Sequence, residues 1–196
     1  MMKNNQYFSL ITGILAVLCY LALTVFAYSR YPLPYSPTTN WLSDLGNPNN
    51  NPRGAIFYNI GIISSAVLLL LFFLGLSAWK IEAKRVQTIM LRLTQAFGIS
   101  GAFCMIMSAI FTINFFKIHS FWSSSLYILL STAFLFSTAM LRYHHWVPRW
   151  ILMFGISTAL IVILTSFFPN VYILEWITVF LLLSYVCLLG IETKRV

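Results

Sequence analysis

The sequence predicts an all-α fold: a polytopic membrane protein built as a six-transmembrane-helix bundle, with both termini in the cytoplasm. The 196-residue chain is 60% hydrophobic and 8% charged, whereas a soluble domain carries about 25% charged residues. Its mean hydropathy is +0.84. The apolar residues fall into six long runs, and Lys and Arg are concentrated in alternate connections between them. This composition excludes a soluble enzyme, a disordered chain and a secreted disulfide scaffold.

The apolar runs are predicted to be helices that cross the membrane, because a spanning helix needs about 20 apolar residues. They are continuously apolar, whereas the strands of a membrane barrel alternate between apolar and polar residues. The first run is longer than the apolar core of a signal peptide, which favours a retained helix. We therefore expect one transmembrane domain over residues 1–196. Its predicted spans are 7–29, 55–79, 91–115, 122–142, 150–168 and 173–191.

The distribution of basic residues predicts the orientation. Nine of the 12 Lys and Arg residues lie on the side of the predicted bundle that carries the termini. The positive-inside rule therefore predicts a multi-pass protein of the cell membrane with both termini cytoplasmic. The net charge of +8 is then a topology signal, and we expect no nucleic-acid partner. The nine residues are Lys3, Lys80, Lys84, Arg85, Arg92, Arg142, Arg149, Lys194 and Arg195, and the other three are Arg30, Arg53 and Lys117.

One connection is much longer than the others. The outer loop 30–54 has 25 residues and contains five of the chain's seven prolines. Proline and asparagine favour turns, so we expect an irregular segment that folds back on itself. The WLSDLG segment brings apolar residues into this polar loop, and we expect it to dock onto the bundle. Ser43 is the predicted N-cap of a short turn there.

The four acidic residues divide between the two sides of the membrane. Glu82 and Glu192 stand beside basic residues on the cytoplasmic side, and we expect both to be solvated. Asp44 and Glu175 both lie on the outer side, and Glu175 is the acid placed inside an apolar run. An ionisable group in that position is costly and marks a function or a specific partner.

His119 is predicted to join these two acids, because it lies in the outer turn before the fourth span. We interpret Asp44, His119 and Glu175 as the candidate catalytic residues. Three roles are open for them. They suit general acid–base catalysis, one metal ion with an open position, or a salt-bridge network in which Arg53 or Lys117 pins the loop. The residues expected to contact a substrate are Ser43, Asn59, Arg53 and Tyr172.

The other histidines are weaker candidates, and no metal or cofactor is assigned. His144 and His145 lie in a cytoplasmic turn between Arg142 and Arg149, where we expect a surface facing lipid headgroups. A haem held between His119 and this pair is excluded, because the two positions lie at opposite membrane surfaces.

The stretch NWLSDLGNPNNNPRGAIFYNIGIISS carries a family resemblance. It resembles the prokaryotic membrane family catalogued as domain of unknown function 998, in which a Ser-Asp-Leu-Gly element (here 43–46) precedes an Asn and a small residue, here Asn59 and Gly61. The resemblance implies a six-helix protein with a His before the fourth span and a Glu near the start of the last. His119 and Glu175 match these two positions.

The resemblance implies no established activity. At one position this chain differs from the family pattern. The family commonly follows the last Glu with Arg, whereas this chain has Trp176, so a fixed Glu–Arg pair is not expected. The family is similar, more distantly, to the Frag/DRAM/Sfk group of six-helix proteins. Some members of that group handle membrane lipids, which implies a lipid-associated role by analogy of architecture alone.

Two hypotheses of function follow. The leading one is an outward-facing polar site that recognises or modifies a lipid headgroup or a lipid-linked substrate. If the site is catalytic, His119 is the general acid or base and Asp44 orients it or binds a cation. The alternative is a non-enzymatic structural or assembly subunit of a larger membrane complex. A small-solute transporter is a third reading, disfavoured because polar residues are scarce near the membrane midplane.

Overall fold

The computed structural model describes residues 2–81, 84–165, 167–168 and 171–195, and within them the chain is all-α. No strand occurs in these residues, and three short 3₁₀ segments supplement the α-helices. The predicted all-α class is confirmed. The helices are α1 (Met2–Tyr28), α2 (Ala55–Gly75), α3 (Arg85–Ile110), α4 (Phe116–Leu141), α5 (Arg149–Thr165) and α6 (Tyr172–Thr193).

Five of the six helices are long and apolar enough to cross a membrane, which makes the chain a multi-pass membrane protein. They are α1, α3, α4, α6 and α2 together with its 3₁₀ extension Leu76–Trp79. The 17-residue α5 is shorter. At about 1.5 Å per residue it is about 25 Å long, below the roughly 30 Å of the hydrocarbon core.

The boundary between α3 and α4 differs from the predicted spans 91–115 and 122–142. The helix α3 ends at Ile110, and Phe111 has φ −91° and ψ 79°. A 3₁₀ turn, Ile113–Phe115, then leads directly into α4 at Phe116. Because the apolar run continues through this break, hydropathy gives no signal of it. At the other end, α3 begins at Arg85, six residues before the predicted span, because a polar helix turn precedes the apolar run.

The helices form a closed ring in chain order, because each packs against the next and α6 returns to α1. The long loop 30–54, the α3–α4 connection and the described residues of the α5–α6 connection lie together, and we call this the loop end of the bundle. The start of α1 and the end of α6 lie at the opposite end, which we call the termini end. Across the middle, Tyr185 of α6 joins α4 through hydrogen bonds of 2.9 Å with Ser137 and Thr138.

Two glycines let α3 approach its neighbours closely. A methyl group at Gly98 would overlap the ring of Phe73 on α2, and one at Gly101 would lie 2.8 Å from Leu130 on α4. Small residues at helix contacts are typical of membrane bundles, where packing rather than water drives association.

A buried tryptophan ties the helices together at the termini end. Trp79 is fully buried, and its Nε1 donates to Thr193 Oγ1 at 2.9 Å. Its carbonyl accepts from Gln87 Nε2 at 2.7 Å. The His144 ring packs edge-on against Trp79, with 4.8 Å between ring centroids.

Two expectations for this end were wrong. His144 does not face headgroups: it is only 3% exposed, because its ring fills the space beside Trp79, whereas its neighbour His145 is exposed. Glu192 is not solvated: it is 3% exposed and pairs with Arg195 at 3.3 Å, because the end of α6 packs into the bundle. Glu82 lies outside the described residues.

We predict that His144 makes stability depend on pH. Burial lowers the pKa of this imidazole below 6.5, the Trp79 backbone partly opposes the shift, and the charges of Lys84 and His145 add to it. A histidine with a lowered folded-state pKa binds its proton more weakly in the folded protein. Its contribution to stability is therefore present above about pH 6.5 and is lost as the pH falls through the folded-state pKa.

The His144→Phe variant should lose less of its Tm between pH 7.5 and pH 5 than the wild type, because Phe keeps the ring contact and cannot ionise. The His145→Phe variant, changed at the exposed neighbour, should keep most of the wild-type dependence, because burial is the largest cause of the lowered His144 pKa. Thermal unfolding in detergent at a series of pH values measures both. Equal pH dependence in wild type and His144→Phe would show that His144 does not control it.

Candidate functional site

The docked part of the 30–54 loop is a 3₁₀ turn, Leu42–Gly46. Leu42 and Leu45 anchor it, at 2% and 0% exposure. The carboxylate of Asp44 accepts a hydrogen bond from the Trp41 N–H at 3.0 Å and so closes the start of the turn. The prediction that Ser43 is the N-cap was therefore wrong, because the Ser43 hydroxyl is used elsewhere.

Two buried amides hold this loop against α1 and α2. Asn51 is fully buried, and its Nδ2 donates to the carbonyls of Ala27 and Leu45 at 3.1 and 2.9 Å. Asn59 Nδ2 donates to the Gly46 carbonyl at 2.9 Å. The turn packs so closely on α2 that a methyl group at Gly46 would lie 2.5 Å from Asn59 Oδ1. The predicted substrate contact Asn59 is thus a residue that positions the loop.

Glu175 binds the loop from the first turn of α6. Its Oε2 accepts from both the backbone N–H and the hydroxyl of Ser43, at 3.3 and 3.4 Å. Trp176, which stands where the resembling family commonly has a basic residue, donates from Nε1 to the Asn40 carbonyl at 3.2 Å. Tyr172 packs edge-on against Trp41, with 4.6 Å between centroids. These contacts fix the loop over the start of α6.

His119 is held from the other side of the site. Its Nδ1 lies 3.0 Å from the carbonyl of Ser108 and 2.9 Å from that of Phe111, at the C-terminal end of α3. Carbonyl oxygens can only accept, so Nδ1 carries the proton and donates to both. The ring thereby satisfies carbonyls that the end of a helix leaves without a partner. Nε2 is the ring nitrogen that remains for another partner.

Two cavities meet at Glu175 and His119. The first, of about 120 Å³, lies at the loop end among the 30–54 loop and the adjoining ends of α4, α5 and α6. The second, of about 70 Å³, lies deeper in the bundle. Five residues line both cavities: Ser43, His119, Ser123, Tyr127 and Glu175. We call the first cavity the vestibule and the second the slot.

The vestibule is rich in hydroxyl groups and aromatic rings. The rings around it belong to Trp41, Phe116, Tyr127 and Phe168. Its hydroxyl groups belong to Ser43, Ser120, Ser123, Ser124, Tyr127, Thr165 and Thr178. A polar group of a ligand placed here can therefore both donate and accept hydrogen bonds.

The slot is predominantly apolar and lies inside the bundle, where α4 and α6 supply ten of its 17 lining residues and α1, α2, α3 and the 30–54 loop supply the others. Along each helix its lining residues recur at intervals of three and four, the spacing of one helix face. The α4 side is His119, Ser123, Leu126, Tyr127 and Leu130, and the α6 side is Glu175, Val179, Leu182, Leu183 and Val186. Tyr20 and Tyr58, whose hydroxyls lie 3.2 Å apart, add polar atoms from α1 and α2.

Asp44 does not join the other two candidate catalytic residues in the cavities. It lines neither the vestibule nor the slot, because its carboxylate closes the 3₁₀ turn. Burial raises the pKa of Asp44, whereas hydrogen bonds from the Trp41 backbone and the Asn50 side chain and the nearby charge of His119 oppose the shift. Because its carboxylate holds the turn and lines neither cavity, Asp44 is a positioning residue.

The salt-bridge reading of the site is wrong for the part of the chain that the structure describes. There, Arg195–Glu192 is the one ion pair, and neither Asp44 nor Glu175 pairs with Arg53 or Lys117. Both basic residues are exposed. The described residues also contain no group of three His, Cys, Asp or Glu side chains placed to hold a metal ion.

Several lining residues were not selected from the sequence. Tyr127 is eight residues after His119, and Thr178 is three after Glu175, so each shares a helix face with a selected residue. That spacing is a signal that could have found them. Tyr20 carries no such signal, because nothing in its own apolar run relates it to the loop end.

One of three comparisons with known proteins gives a match. The family model described as "Protein of unknown function (DUF998)" matches residues 14–192. No curated protein and no solved structure matches the chain.

We predict that Asn51 is required for loop docking. Asn51→Asp removes the amide donors to Ala27 and Leu45 and places a carboxylate against two carbonyl oxygens. The cost should be about 2–3 kcal/mol, because a buried polar group without its partner is expensive. Limited proteolysis of the 30–54 loop and Tm in detergent measure it. The exposed Asn49→Asp variant is the control, and an Asn51→Asp protein as resistant and as stable as the control would refute the role.

Proposed function

Because the chain belongs to the DUF998 family, whose function is unknown, we propose a function from its site: binding of an amphiphilic membrane lipid or lipid-linked molecule. The polar group of the ligand occupies the vestibule against Glu175 and His119. Its apolar chain enters the slot between α4 and α6.

The shared lining of the two cavities carries this proposal. The hydroxyl-rich vestibule and the predominantly apolar slot are joined by the five residues that line both. A ligand that fills both must be polar at one end and apolar at the other. A small hydrophilic solute would leave the slot empty, and a pure hydrocarbon would place no polar group beside the Glu175 carboxylate and Nε2 of His119.

The predicted orientation of the chain puts this site in the outer leaflet of the membrane. The excess of Lys and Arg at the termini end supports a cytoplasmic location for both termini in the cell membrane. The loop end then faces outward, and the vestibule lies at the depth of outer-leaflet headgroups. The slot runs from there toward the membrane centre, which is the direction of a lipid chain.

The arrangement of His119 also suits acid–base chemistry on the bound ligand. Two carbonyls fix the proton on Nδ1, so Nε2 is the atom that accepts a proton from a ligand and returns it. Asp44 acts through position, since it lines neither cavity. Binding is the primary proposal, and turnover requires in addition that His119 be needed for a change in the ligand.

We predict that closing the junction of the two cavities abolishes binding. Ser123 lines both cavities, so Ser123→Leu places a larger apolar side chain at that junction. Ser125→Leu is the matched control: it lies two residues away on α4, is half-buried, lines neither cavity and makes the same kind of hydrogen bond to the preceding turn.

Lipids retained by each purified variant can be weighed by native mass spectrometry. Wild type and Ser125→Leu should carry a bound amphiphile, and Ser123→Leu should have lost it at an unchanged Tm. Equal lipid retention in all three proteins would contradict the proposal. A stable complex with another protein in native membranes, together with the absence of bound lipid, would support the alternative of a non-enzymatic assembly subunit.

A further inference from the structure

The residues around Glu175 indicate the charge of the ligand's polar end, provided that the site binds an amphiphile as proposed above. Glu175 is an acid inside a membrane-spanning helix, at the place where the vestibule meets the slot. It accepts hydrogen bonds from Ser43, but within the described residues it forms no ion pair. An ionisable carboxyl group that has lost much of its water and has no cation beside it is costly.

The described surroundings of Glu175 also supply no Lys or Arg side chain for an anionic ligand. The chain has 12 Lys and Arg residues, yet none lines either cavity in the part of the chain that is described. A phosphate placed in the vestibule would thus meet a carboxylate, hydroxyl groups and the imidazole of His119, but no Lys or Arg side chain. Helix N-termini also bind phosphate, and α4 and α6 both begin at the vestibule, but the Glu175 carboxylate in the first turn of α6 opposes a second negative charge there.

The aromatic lining adds an independent preference for a cation. Trp41, Phe116, Tyr127 and Phe168 surround the vestibule together with Glu175. Aromatic faces attract ammonium groups, and cages of such rings are a common means of binding quaternary or primary ammonium ions. A carboxylate among aromatic rings therefore suits a positively charged nitrogen better than it suits a phosphate or a neutral sugar.

The position of Glu175 further limits where this nitrogen lies in the ligand. Glu175 is the first α6 residue of the slot, which continues along α6 to Val186, a distance of about 16 Å at the rise of an α-helix. A ligand nitrogen bound to the Glu175 carboxylate therefore lies beside the point where the ligand's apolar chain enters the slot. This leaves no room for a phosphodiester group between the nitrogen and the apolar chain.

We propose that the site binds a long-chain amine: an amphiphile whose protonated nitrogen stands at the head of its apolar chain, with no phosphate between them. The nitrogen binds the Glu175 carboxylate between the vestibule aromatic rings. The Nε2 of His119 and the vestibule hydroxyls bind neighbouring polar groups of the ligand. The chain fills the slot.

Photolabelling in lipid nanodiscs tests the proposal directly. The full chain is placed in nanodiscs of phosphatidylglycerol, which has no cationic group. It is labelled at pH 7 with three 16-carbon diazirine probes that differ only at the head: a primary amine, an alcohol and a phosphate. Wild type is compared with Glu175→Gln, whose side-chain oxygen still accepts from Ser43. Glu192→Gln is the control, with the same substitution in the same helix at the termini end.

The wild type and Glu192→Gln should bind the amine about tenfold or more tightly than the phosphate, as expected for a charge-assisted contact. Labelled peptides should come from α4 and α6. Glu175→Gln should lose this preference while it still binds the alcohol, because the Gln oxygen keeps the loop in place by accepting from Ser43. Equal binding of all three probes by the wild type, or equal amine binding by Glu175→Gln, would overturn the inference.

A second arm separates this inference from the function on which it rests. If all three probes label the slot equally and Ser123→Leu abolishes the labelling, the amphiphile site stands and the cation preference is refuted. If no probe labels α4 or α6 above the level seen in Ser123→Leu, both the inference and the proposed function are refuted.

Discussion

The contact between Glu175 and Ser43 is the interaction on which the arrangement of the loop end depends. One carboxylate oxygen accepts both the backbone N–H and the hydroxyl of a loop residue that lies 132 positions away in the chain. Hydrogen bonds to charged groups contribute about 1.5–3 kcal/mol, more than neutral ones. This contact brings the 30–54 loop over the first turn of α6. Glu175 therefore both holds the loop that covers the vestibule and supplies the vestibule's acidic group.

Two further constraints make that contact possible. The loop must be held in place, and the buried amide of Asn51 does so by joining the end of α1 to the 3₁₀ turn. The start of α4, on the other side of the vestibule, must also be held, and His119 does so by joining α4 to the end of α3. With the loop and the wall held, α4 and α6 stand apart at the loop end and meet at Tyr185 deeper in the bundle. The slot is the space that remains between them.

The sequence was sufficient for the fold class and for three of the five side chains that line both cavities, Ser43, His119 and Glu175. Continuous apolar runs identify spanning helices irrespective of how the helices pack. Glu175 and His119 stood out because ionisable groups are costly in or beside such runs. The roles of the other candidates depended on partners far away in the chain. Asp44 closes a local turn and Ser43 reaches α6, and no local pattern distinguishes these two uses of neighbouring residues.

A structure of the full chain in a lipid nanodisc, determined with a bound antibody fragment, tests the central claim most directly. It should show Ser43 within hydrogen-bonding distance of Glu175. It should also show elongated density that begins at this carboxylate and follows the slot between α4 and α6 toward Val186. A slot closed by packed side chains, or a Glu175 paired with a loop arginine, would contradict the account.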